Sequence, residues 1–323
     1  MEPKSLQQAI LYFSKPENCR EYLVARRWPD GVTCPRCGSK NVLFLEKYNR
    51  WHCREKHAAP QFTLKTQTIF EDSPIGLDKW LTAMWMLCNC KNGVSSWEIS
   101  RTLTVTQKSA WFMLGRLRLA LQDTVTGGKL GGTVEIDETF IGGKARNMHK
   151  AKRRRLSDGI GMQGGHGKTV VIGALERGGK VKTRVIGDRK YPAVHGAVRD
   201  FVESGSAIMT DEFQGYCGLA IEYQHQFVNH LEKYVDGQVH TQGMENFWAL
   251  LKRGLGGTYV AVEPFHLFRY VDEQAFRFNN RATRDNPLND SDRFDAAVRQ
   301  IVGKRLTYKE LTGKESERQA EPF

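Results

Sequence analysis

Four residues between positions 34 and 57 restrict the fold of this chain more than any other feature of its sequence. "CPRCG" supplies Cys34 and Cys37, and "WHCREKH" supplies Cys53 and His57 in a C-x3-H spacing. Two close ligand pairs can complete a zinc tetrahedron, and proline and glycine favour the tight turn around the metal. The spacing therefore predicts a structural zinc ribbon. His52 competes with His57 as the fourth ligand, and incidental free thiols are the alternative interpretation.

The net charge indicates which partners such a chain would bind. The formal net charge is +12, and the isoelectric point is near 9.4. Summed positive potential attracts phosphate backbones without specifying their sequence. The charge therefore favours a nucleic-acid partner, and a generally basic, soluble enzyme is the alternative.

The distribution of apolar residues and cysteines indicates a cytoplasmic protein. The longest apolar candidate, "WLTAMWMLC" at 80–88, is about half of the roughly 20 residues that cross a bilayer. The first residues, "MEPKSLQQAIL", lack the apolar run of a signal peptide. The seven cysteines are an odd number, which suits a disulfide framework poorly. We therefore expect a reducing location.

Changes in composition divide the 323 residues into segments, and the length predicts two or three domains. Strand-like runs followed by interleaved helices beyond residue 130 predict an α/β fold. A basic, glycine-rich stretch at 144–168 has almost no apolar residues, so we expect a mobile loop there. The predicted segments are an N-terminal helical segment at 1–30, the zinc ribbon at 31–70, a helical segment at 71–125, the sheet domain at 130–285, and a C-terminal helix and tail at 286–323.

Residues 92–121, "NGVSSWEISRTLTVTQKSAWFMLGRLRLAL", have the pattern of a helix-turn-helix. Ser95 or Ser96 can cap a short first helix that ends near Leu103, and "TVT" makes the turn. An ordinary helical hairpin fits the pattern equally well. The second helix is expected to bury Ala110, Met113, Leu114 and Leu117 and to leave Lys108, Arg116 and Arg118 more exposed.

Three acidic residues in different parts of the chain could form one catalytic site. Asp137 lies in "VEIDET" on the same side of a predicted strand as Glu135, Asp211 ends the strand "AIMTD", and Glu245 opens a predicted helix. Singly, each is more typical of a turn, a cap or a solvent-facing acid. Together, three carboxylates could hold two divalent cations, which can activate the attack on a phosphodiester. Magnesium prefers such oxygen ligands.

Lys252 follows Glu245 by seven residues on the same predicted helix. Seven residues advance a helix by almost two turns, roughly 10 Å, so both side chains point the same way. A surface ion pair is more naturally spaced three or four residues apart. The spacing therefore indicates a carboxylate and an ammonium group that address two points on one extended polyanion.

The segments that carry these residues resemble a known family. "VEIDETFIGGK", "IMTDEFQGY" and "HTQGMENFWALLKRGLGGTY" are similar to the three catalytic blocks of bacterial insertion-sequence transposases with a DDE, RNase H-like core. The similarity is closest to the group that carries an amino-terminal zinc ribbon, and it also covers "CPRCG", "GVSSWEISRTLTVTQKSAW" and "RYVDEQAFRFNNR". "KTQTIF" departs from the family pattern, because Gln67 stands where glycine is usual.

The resemblance implies a fold and a set of site residues. The fold would be an RNase H-like catalytic core preceded by a zinc ribbon and a helix-turn-helix segment. Asp137, Asp211 and Glu245 would be catalytic and would bind Mg²⁺ or Mn²⁺, and Lys252 would contact the DNA end. Some relatives have asparagine at the third position, and Asn246 adjoins Glu245. His230 and His240 also match the pattern, either as phosphate contacts or as structural histidines.

The implied function is transposition by DNA strand cleavage and strand transfer through a 3′-hydroxyl. The partners would be double-stranded DNA, both transposon ends and target, with a homodimer or higher multimer acting on that DNA in the bacterial nucleoid. Two alternatives remain open from the residues themselves. One is a zinc-ribbon, helix-turn-helix regulator without catalysis, and the other is an RNase H-like nuclease that cuts strands without joining them.

Overall fold

The computed structural model describes residues 2–122, 128–143, 150, 168–211, 214–228, 240–284 and 286–313. The chain divides into two compact units, Met1–Gln122 with Asn280–Phe323 and Asp123–Asn279. Most of the predicted loop at 144–168 and the segment "NHLEKYV" at 229–235, with His230, lie outside the described residues. None of the helices that the structure describes is long and apolar enough to cross a membrane.

The first unit begins with two helices and a small antiparallel sheet. The Ser5 side chain accepts the Gln8 N–H and starts the first helix, and Pro16 occupies the first turn of the second. The three strands pair in chain order. These elements are α1 (Leu6–Phe13), α2 (Pro16–Arg27), β1 (Val42–Leu45), β2 (Arg50–Cys53) and β3 (Gln61–Phe62).

The predicted helical segment forms three helices, α3 (Leu77–Asn89), α4 (Ser96–Leu103) and α5 (Gln107–Ala120). Ser95 and Glu98 form a capping box at the start of α4. Thr104 ends α4 in the left-handed conformation, and the Thr106 side chain caps α5. Ala110, Met113, Leu114 and Leu117 are buried, as the sequence pattern predicts.

The prediction that Arg116 and Arg118 are exposed is wrong, because both are buried, with relative exposures of 7% and 3%. The Arg116 guanidinium donates hydrogen bonds to the carbonyl oxygens of Ile69, Glu71 and Leu306 at 2.7–3.2 Å. Lys108, in the first turn of α5, is exposed as expected. The C-terminal half of α5 is therefore a core element, and its first turn is its more accessible part.

The C-terminal segment completes the first unit. Helix α9 (Asp290–Val298) packs on α3, where the Phe294 ring lies 5.0 Å from that of Trp85. Phe294 also contacts Phe13 and Tyr22, with ring centroids 5.6 Å apart in each case. The short helix α10 (Tyr308–Leu311) packs against α5. The core of this unit is therefore built from both ends of the chain.

The second unit is built on a five-stranded mixed sheet. The strand order is β6-β5-β4-β7-β8, in which β4, β5 and β6 pair antiparallel, and β7 runs parallel to both β4 and β8. The elements are β4 (Thr133–Ile141), β5 (Thr169–Glu176), β6 (Val181–Ile186), α6 (Tyr191–Phe201), β7 (Ala207–Asp211), β8 (Gln224–Val228), α7 (Gln242–Gly254) and α8 (Leu267–Asn279).

Helices cover both faces of this sheet. On one face, Val170 and Ile172 of β5 share a core with Val194 of α6. On the other face, Val171 of β5 packs with Phe247 of α7 and with residues of α8. Alternate residues of a strand point to opposite faces, so β5 is apolar along nearly its whole length. The unit has the mixed α/β architecture that the sequence predicts.

Candidate functional site

The structure brings the four predicted zinc ligands together. The ligand atoms of Cys34, Cys37, Cys53 and His57 all lie within 4.8 Å of one another. The Cys34 Sγ–His57 Nε2 and Cys37 Sγ–Cys53 Sγ distances are both 3.6 Å. A zinc tetrahedron with Zn–S bonds of about 2.3 Å has edges of about 3.8 Å, so the donor set fits Zn²⁺. His52 lies on β2 and does not belong to the group.

The local sequence explains how this ligand turn forms. The Gly38 N–H donates to the Cys34 carbonyl oxygen at 2.8 Å, which closes the "CPRCG" turn. Gly38 has φ of 75°, a left-handed value that glycine adopts without steric cost. Cys53 is the last residue of β2, whose pairing with β1 and β3 fixes its position. Turn and strand together hold one ligand pair against the other.

Asp137 lies in the middle of β4 and is hydrogen-bonded on both carboxyl oxygens. The Trp248 indole Nε1 donates to Oδ2 at 3.0 Å, and the Glu138 backbone N–H donates to Oδ1 at 2.8 Å. Trp248 is buried in α7, so its N–H requires a partner. The sequence pattern identified Trp248 only as part of an apolar stripe. The hydrogen bond fixes the orientation of the Asp137 carboxyl group.

The charges of the other predicted site residues converge on this carboxyl group. The pKa of Asp137 is raised to about 7, chiefly by burial and also by the negative charges of Asp211 and Glu245. The Trp248 hydrogen bond and the Lys252 ammonium group act in the opposite direction on this pKa. Asp137, Asp211, Glu245 and Lys252 are therefore close in space although they are distant in the chain.

The sheet topology explains why Asp211 lies near Asp137. Strand β7 runs parallel to β4, with Met209 opposite Glu135. Two residues further along both strands, in the same direction, are Asp211 and Asp137. Because parallel strands end at the same edge of a sheet, the carboxylate that ends β7 faces the same region as Asp137.

One face of α7 supplies the remaining two residues. The spacing places three residues along one side of this helix: Trp248 and Lys252 follow Glu245 by three and seven residues. Trp248 donates to Asp137, so this is the side that faces β4. Glu245 and Lys252 are themselves exposed. Asn246 is rotated by about 100° from Glu245 around the helix axis.

Asp137, Asp211 and Glu245 offer carboxylate oxygens, the kind of ligand that divalent cations such as Mg²⁺ prefer. Among the residues that the structure describes, the Cys₃His set is the only group whose ligand atoms all lie within 4.8 Å. The like charges that raise the pKa of Asp137 would be balanced by such cations. The donor set therefore fits Mg²⁺ or Mn²⁺.

Glu138, the residue after Asp137, is held by two partners that the sequence pattern did not reveal. Its carboxylate accepts the Tyr216 O–H and forms an ion pair with Arg189. Burial raises the pKa of Tyr216 well above its usual value, and the charges of Asp137 and Asp211 contribute. A tyrosine hydroxyl that stays protonated can donate this hydrogen bond. Glu138 is therefore engaged in a network beside the site.

Both carboxylate oxygens of Glu135 also have partners. Its side chain is 2% exposed, and Oε1 lies 3.0 Å from Arg177 Nε and 3.3 Å from His240 Nδ1. Oε2 accepts the Met244 backbone N–H at 3.1 Å. The His240 carbonyl oxygen in turn accepts a hydrogen bond from Arg177 at 3.0 Å. These contacts place the His240 imidazole beside Glu135 and the His240 carbonyl oxygen beside Arg177.

Comparisons with known proteins identify two domains in this chain. Residues 129–279 match the ISXO2-like transposase domain, and residues 15–55 match the transposase zinc-ribbon domain. One relative is an uncharacterized protein in transposable element ISH50 of Halobacterium salinarum. It is 26% identical over 266 residues, which cover 76% of this chain and 85% of the relative. No solved structure matches the chain significantly.

The matches of the sheet domain and of the zinc ribbon to these two families support a transposase, a class of DNA-processing enzyme. The two domain matches and the relative together support an insertion-sequence transposase that carries a zinc ribbon ahead of an ISXO2-like transposase domain. His57 lies two residues beyond the matched part of the zinc-ribbon domain, and the structure includes it in the ligand group.

Proposed function

We propose that this chain is a DDE transposase with an RNase H-like core, which binds terminal inverted repeats and catalyses metal-dependent cleavage and strand transfer. The observation that carries the proposal is the convergence on Asp137. The charges of Asp211, Glu245 and Lys252, from a second strand and a helix, all act on its carboxyl group. Ordinary surface acids would instead lie apart from one another.

The sheet topology supports an RNase H-like core. Three antiparallel strands are followed in the sheet by two strands parallel to β4. Asp137 lies on the central strand, β4, and Asp211 ends its parallel neighbour. Helices on both faces exclude water from the sheet, so the acids occupy an edge with buried walls.

In the proposed site, Asp137, Asp211 and Glu245 hold Mg²⁺ or Mn²⁺. When bound, the cations would supply charge that activates the attacking oxygen and stabilises the leaving one. Trp248 keeps the Asp137 carboxylate oriented through its indole N–H. Lys252, nearly two turns along the same face of α7, binds a neighbouring phosphate of the DNA end.

The two chemical steps exchange one P–O bond for another. In cleavage, water attacks the phosphorus at the transposon end, the P–O3′ bond breaks, and a 3′-hydroxyl is released. In strand transfer, that 3′-hydroxyl attacks a target phosphodiester, forms a new P–O3′ bond and displaces a target 3′-oxygen. Such reactions depend on positioning and charge stabilisation more than on covalent participation by the protein.

The first unit supplies the proposed DNA-binding surface. Helices α4 and α5 have the lengths and the capped turn of a helix-turn-helix. In such motifs the N-terminal residues of the second helix contact base edges. Lys108, in that turn of α5, is exposed, as is Arg101 on α4. Cutting two ends of one element requires at least two active sites, so the acting species is a homodimer or larger multimer on DNA.

A strand-transfer assay tests the proposal. Purified protein is incubated with Mg²⁺, labelled duplexes carrying the element's terminal repeat, and target DNA. Asp137→Asn, Asp211→Asn and Glu245→Gln should each abolish cleavage and joining while end binding is retained. Asn246→Ala is the matched control, and it should remain active because Asn246 lies off the Asp137-facing side of α7.

Each alternative gives a different outcome in the same assay. Mg²⁺-dependent cleavage by the wild type without any joined product would indicate a nuclease. Specific end binding with neither product would indicate a regulator. Wild-type activity in one of the three acidic variants would remove that residue from the site, and loss of activity in Asn246→Ala alone would move the third acid's role to position 246.

A further inference from the structure

Helix α7 begins without a cap from its own N-cap residue, and a residue of strand β4 supplies one. The N-cap residue Thr241 makes no side-chain cap hydrogen bond. The Met244 N–H is among the first four of the helix, which have no partner within it. Glu135 Oε2, on β4, accepts this N–H at 3.1 Å. A carboxylate at a helix N-terminus is also favoured by the helix dipole.

A second hydrogen bond joins the same helix to the same strand one turn later. The Trp248 indole donates to Asp137 Oδ2 at 3.0 Å. The two donors are four residues apart on α7, about 6 Å of helix rise. The two acceptors are two residues apart on β4, about 6.7 Å of strand. The spacings agree, so Glu135 and Asp137 hold the helix in one register along the strand.

The packing leaves the helix little room to shift from this register. A Cβ atom at Gly243 would lie 2.5 Å from Leu175 Cδ2 and 2.7 Å from Glu135 Oε2. Side chains normally stay beyond about 3.5 Å. The absence of a side chain at Gly243 therefore permits the contact between the first turn of α7 and Glu135.

Arg177 holds the Glu135 carboxylate in place. Its Nε lies 3.0 Å from Oε1, and its Nη2 donates to the His240 carbonyl oxygen at 3.0 Å. The Arg177 backbone N–H donates to the Thr133 carbonyl oxygen at 3.0 Å. Arg177 therefore links the start of β4, the Glu135 side chain and the residue that leads into α7.

We propose that Glu135 is a positioning residue, which fixes helix α7 on strand β4 and so sets the place of Glu245 relative to Asp137. The inference rests on the proposed function, because it assumes that these two acids share cations. Glu135 itself does not contact the cations in this proposal, since both of its oxygens are already engaged. Partners that orient metal ligands typically contribute about 10–100-fold to metal affinity.

The inference is tested by the affinity of the full-length, zinc-loaded protein for Mn²⁺, measured by isothermal titration calorimetry without DNA. Glu135→Gln should weaken Mn²⁺ binding by about tenfold or more. This variant also removes a negative charge, which by itself weakens the binding of a cation. Arg177→Gln separates the two effects. Loss of a positive charge alone would strengthen Mn²⁺ binding, whereas loss of positioning weakens it.

Two further variants keep the test decisive. Gly243→Ala leaves every charge in place but puts a methyl group against Glu135 Oε2 and Leu175 Cδ2, so it should disturb the contact of Glu135 with α7 and weaken Mn²⁺ binding, and it remains informative if Glu135→Gln fails to fold. Glu273→Gln is the control for lost stability, because Glu273 is a buried acid of the same unit, ion-paired with Arg277 on α8. It should leave Mn²⁺ affinity unchanged. Urea unfolding of each variant reports its stability separately.

The outcomes distinguish this inference from the proposed function. Asp137→Asn first identifies the Mn²⁺ binding that belongs to the site, and no change in that variant would overturn both. Suppose that Asp137→Asn loses Mn²⁺ binding. Wild-type Mn²⁺ affinity in Gly243→Ala, or tighter Mn²⁺ binding in Arg177→Gln, would then overturn the positioning role alone. Weaker binding in Glu135→Gln, Arg177→Gln and Gly243→Ala, with Glu273→Gln unchanged, would support it.

Discussion

Adding one methyl group at Gly173 should destabilise the sheet domain and disturb the candidate site. Gly173 lies directly opposite Asp137 in the antiparallel pairing of β5 with β4. A Cβ atom there would lie 2.4 Å from Met244 Cε and 3.0 Å from two ring carbons of Trp248. The Met244 side chain is flexible and can rotate away. The Trp248 ring is held by its hydrogen bond to Asp137, so it must shift or lose that bond.

Two opposing effects set the size of the change in the free energy of unfolding for Gly173→Ala. Overpacking a close-packed core costs about 1–3 kcal/mol. Replacing glycine by alanine in a regular element contributes about 0.5–1 kcal/mol in the other direction, because the unfolded chain loses conformational freedom. Gly173→Ala should therefore lower the free energy of unfolding by up to about 2.5 kcal/mol. At about 2–4 °C per kcal/mol for a domain of this size, Tm falls by up to roughly 10 °C.

Gly196→Ala provides a matched control in the same unit. Gly196 lies within α6, and a Cβ atom there would meet nothing within 4 Å. The same substitution should therefore raise the free energy of unfolding by about 0.5–1 kcal/mol, since alanine is the better helix former. The two variants should move stability in opposite directions.

Urea unfolding followed by tryptophan fluorescence provides the assay. Trp248 is the one tryptophan in the Asp123–Asn279 sequence, so subtracting the signal of a Trp248→Phe variant isolates its emission. Gly173→Ala should change this emission in the native state and should weaken Mn²⁺ binding. If Gly173→Ala were as stable as Gly196→Ala and left the Trp248 emission unchanged, the inference that α7 packs closely on β5 at Gly173 would be wrong.

Three other predictions concern the zinc site, the first unit and the DNA contact. His57→Ala should lower the zinc content of the purified protein in metal analysis, whereas His52→Ala should leave it unchanged, because only His57 belongs to the ligand group. Arg116→Ala should lower the free energy of unfolding by about 3 kcal/mol or more, since it strands three buried carbonyl oxygens, while Lys108→Ala should change it by under about 0.5 kcal/mol. Lys252→Ala should reduce the slope of log K against log[salt] for end binding by about 1, and an unchanged slope would contradict a phosphate contact.

Parts of the molecule were predictable because their signals are local in the sequence. The zinc ligands lie within one short segment, and the geometry selected between His52 and His57, which spacing alone left open. The buried stripe of α5 followed from helical periodicity. Asp137, Asp211 and Glu245 were predicted as a group; the charges of Asp211 and Glu245 act on the Asp137 carboxyl group, and the catalytic role of the three acids stays a prediction.

Other parts depend on contacts between distant residues, which periodicity does not reveal. Arg116 was expected at the surface because it lies on a basic helix, but one of the carbonyl oxygens that it contacts comes from Leu306. The hydrogen bond of Trp248 and the close approach at Gly173 likewise depend on how α7 packs on the sheet. Gln67 stands where the resembled family usually has glycine, and its φ of 55° accounts for that preference.

The first unit has a consequence for synthesis on the ribosome, because its two parts lie on either side of Asp123–Asn279. Phe13, Tyr22 and Trp85 emerge early, but their partner Phe294 is made only after the entire sheet domain. At about 5–20 residues per second, this delay is on the order of ten seconds or more. Until then an aromatic surface remains uncovered, so nascent chains and products truncated before residue 280 should be ready substrates for chaperones and proteases.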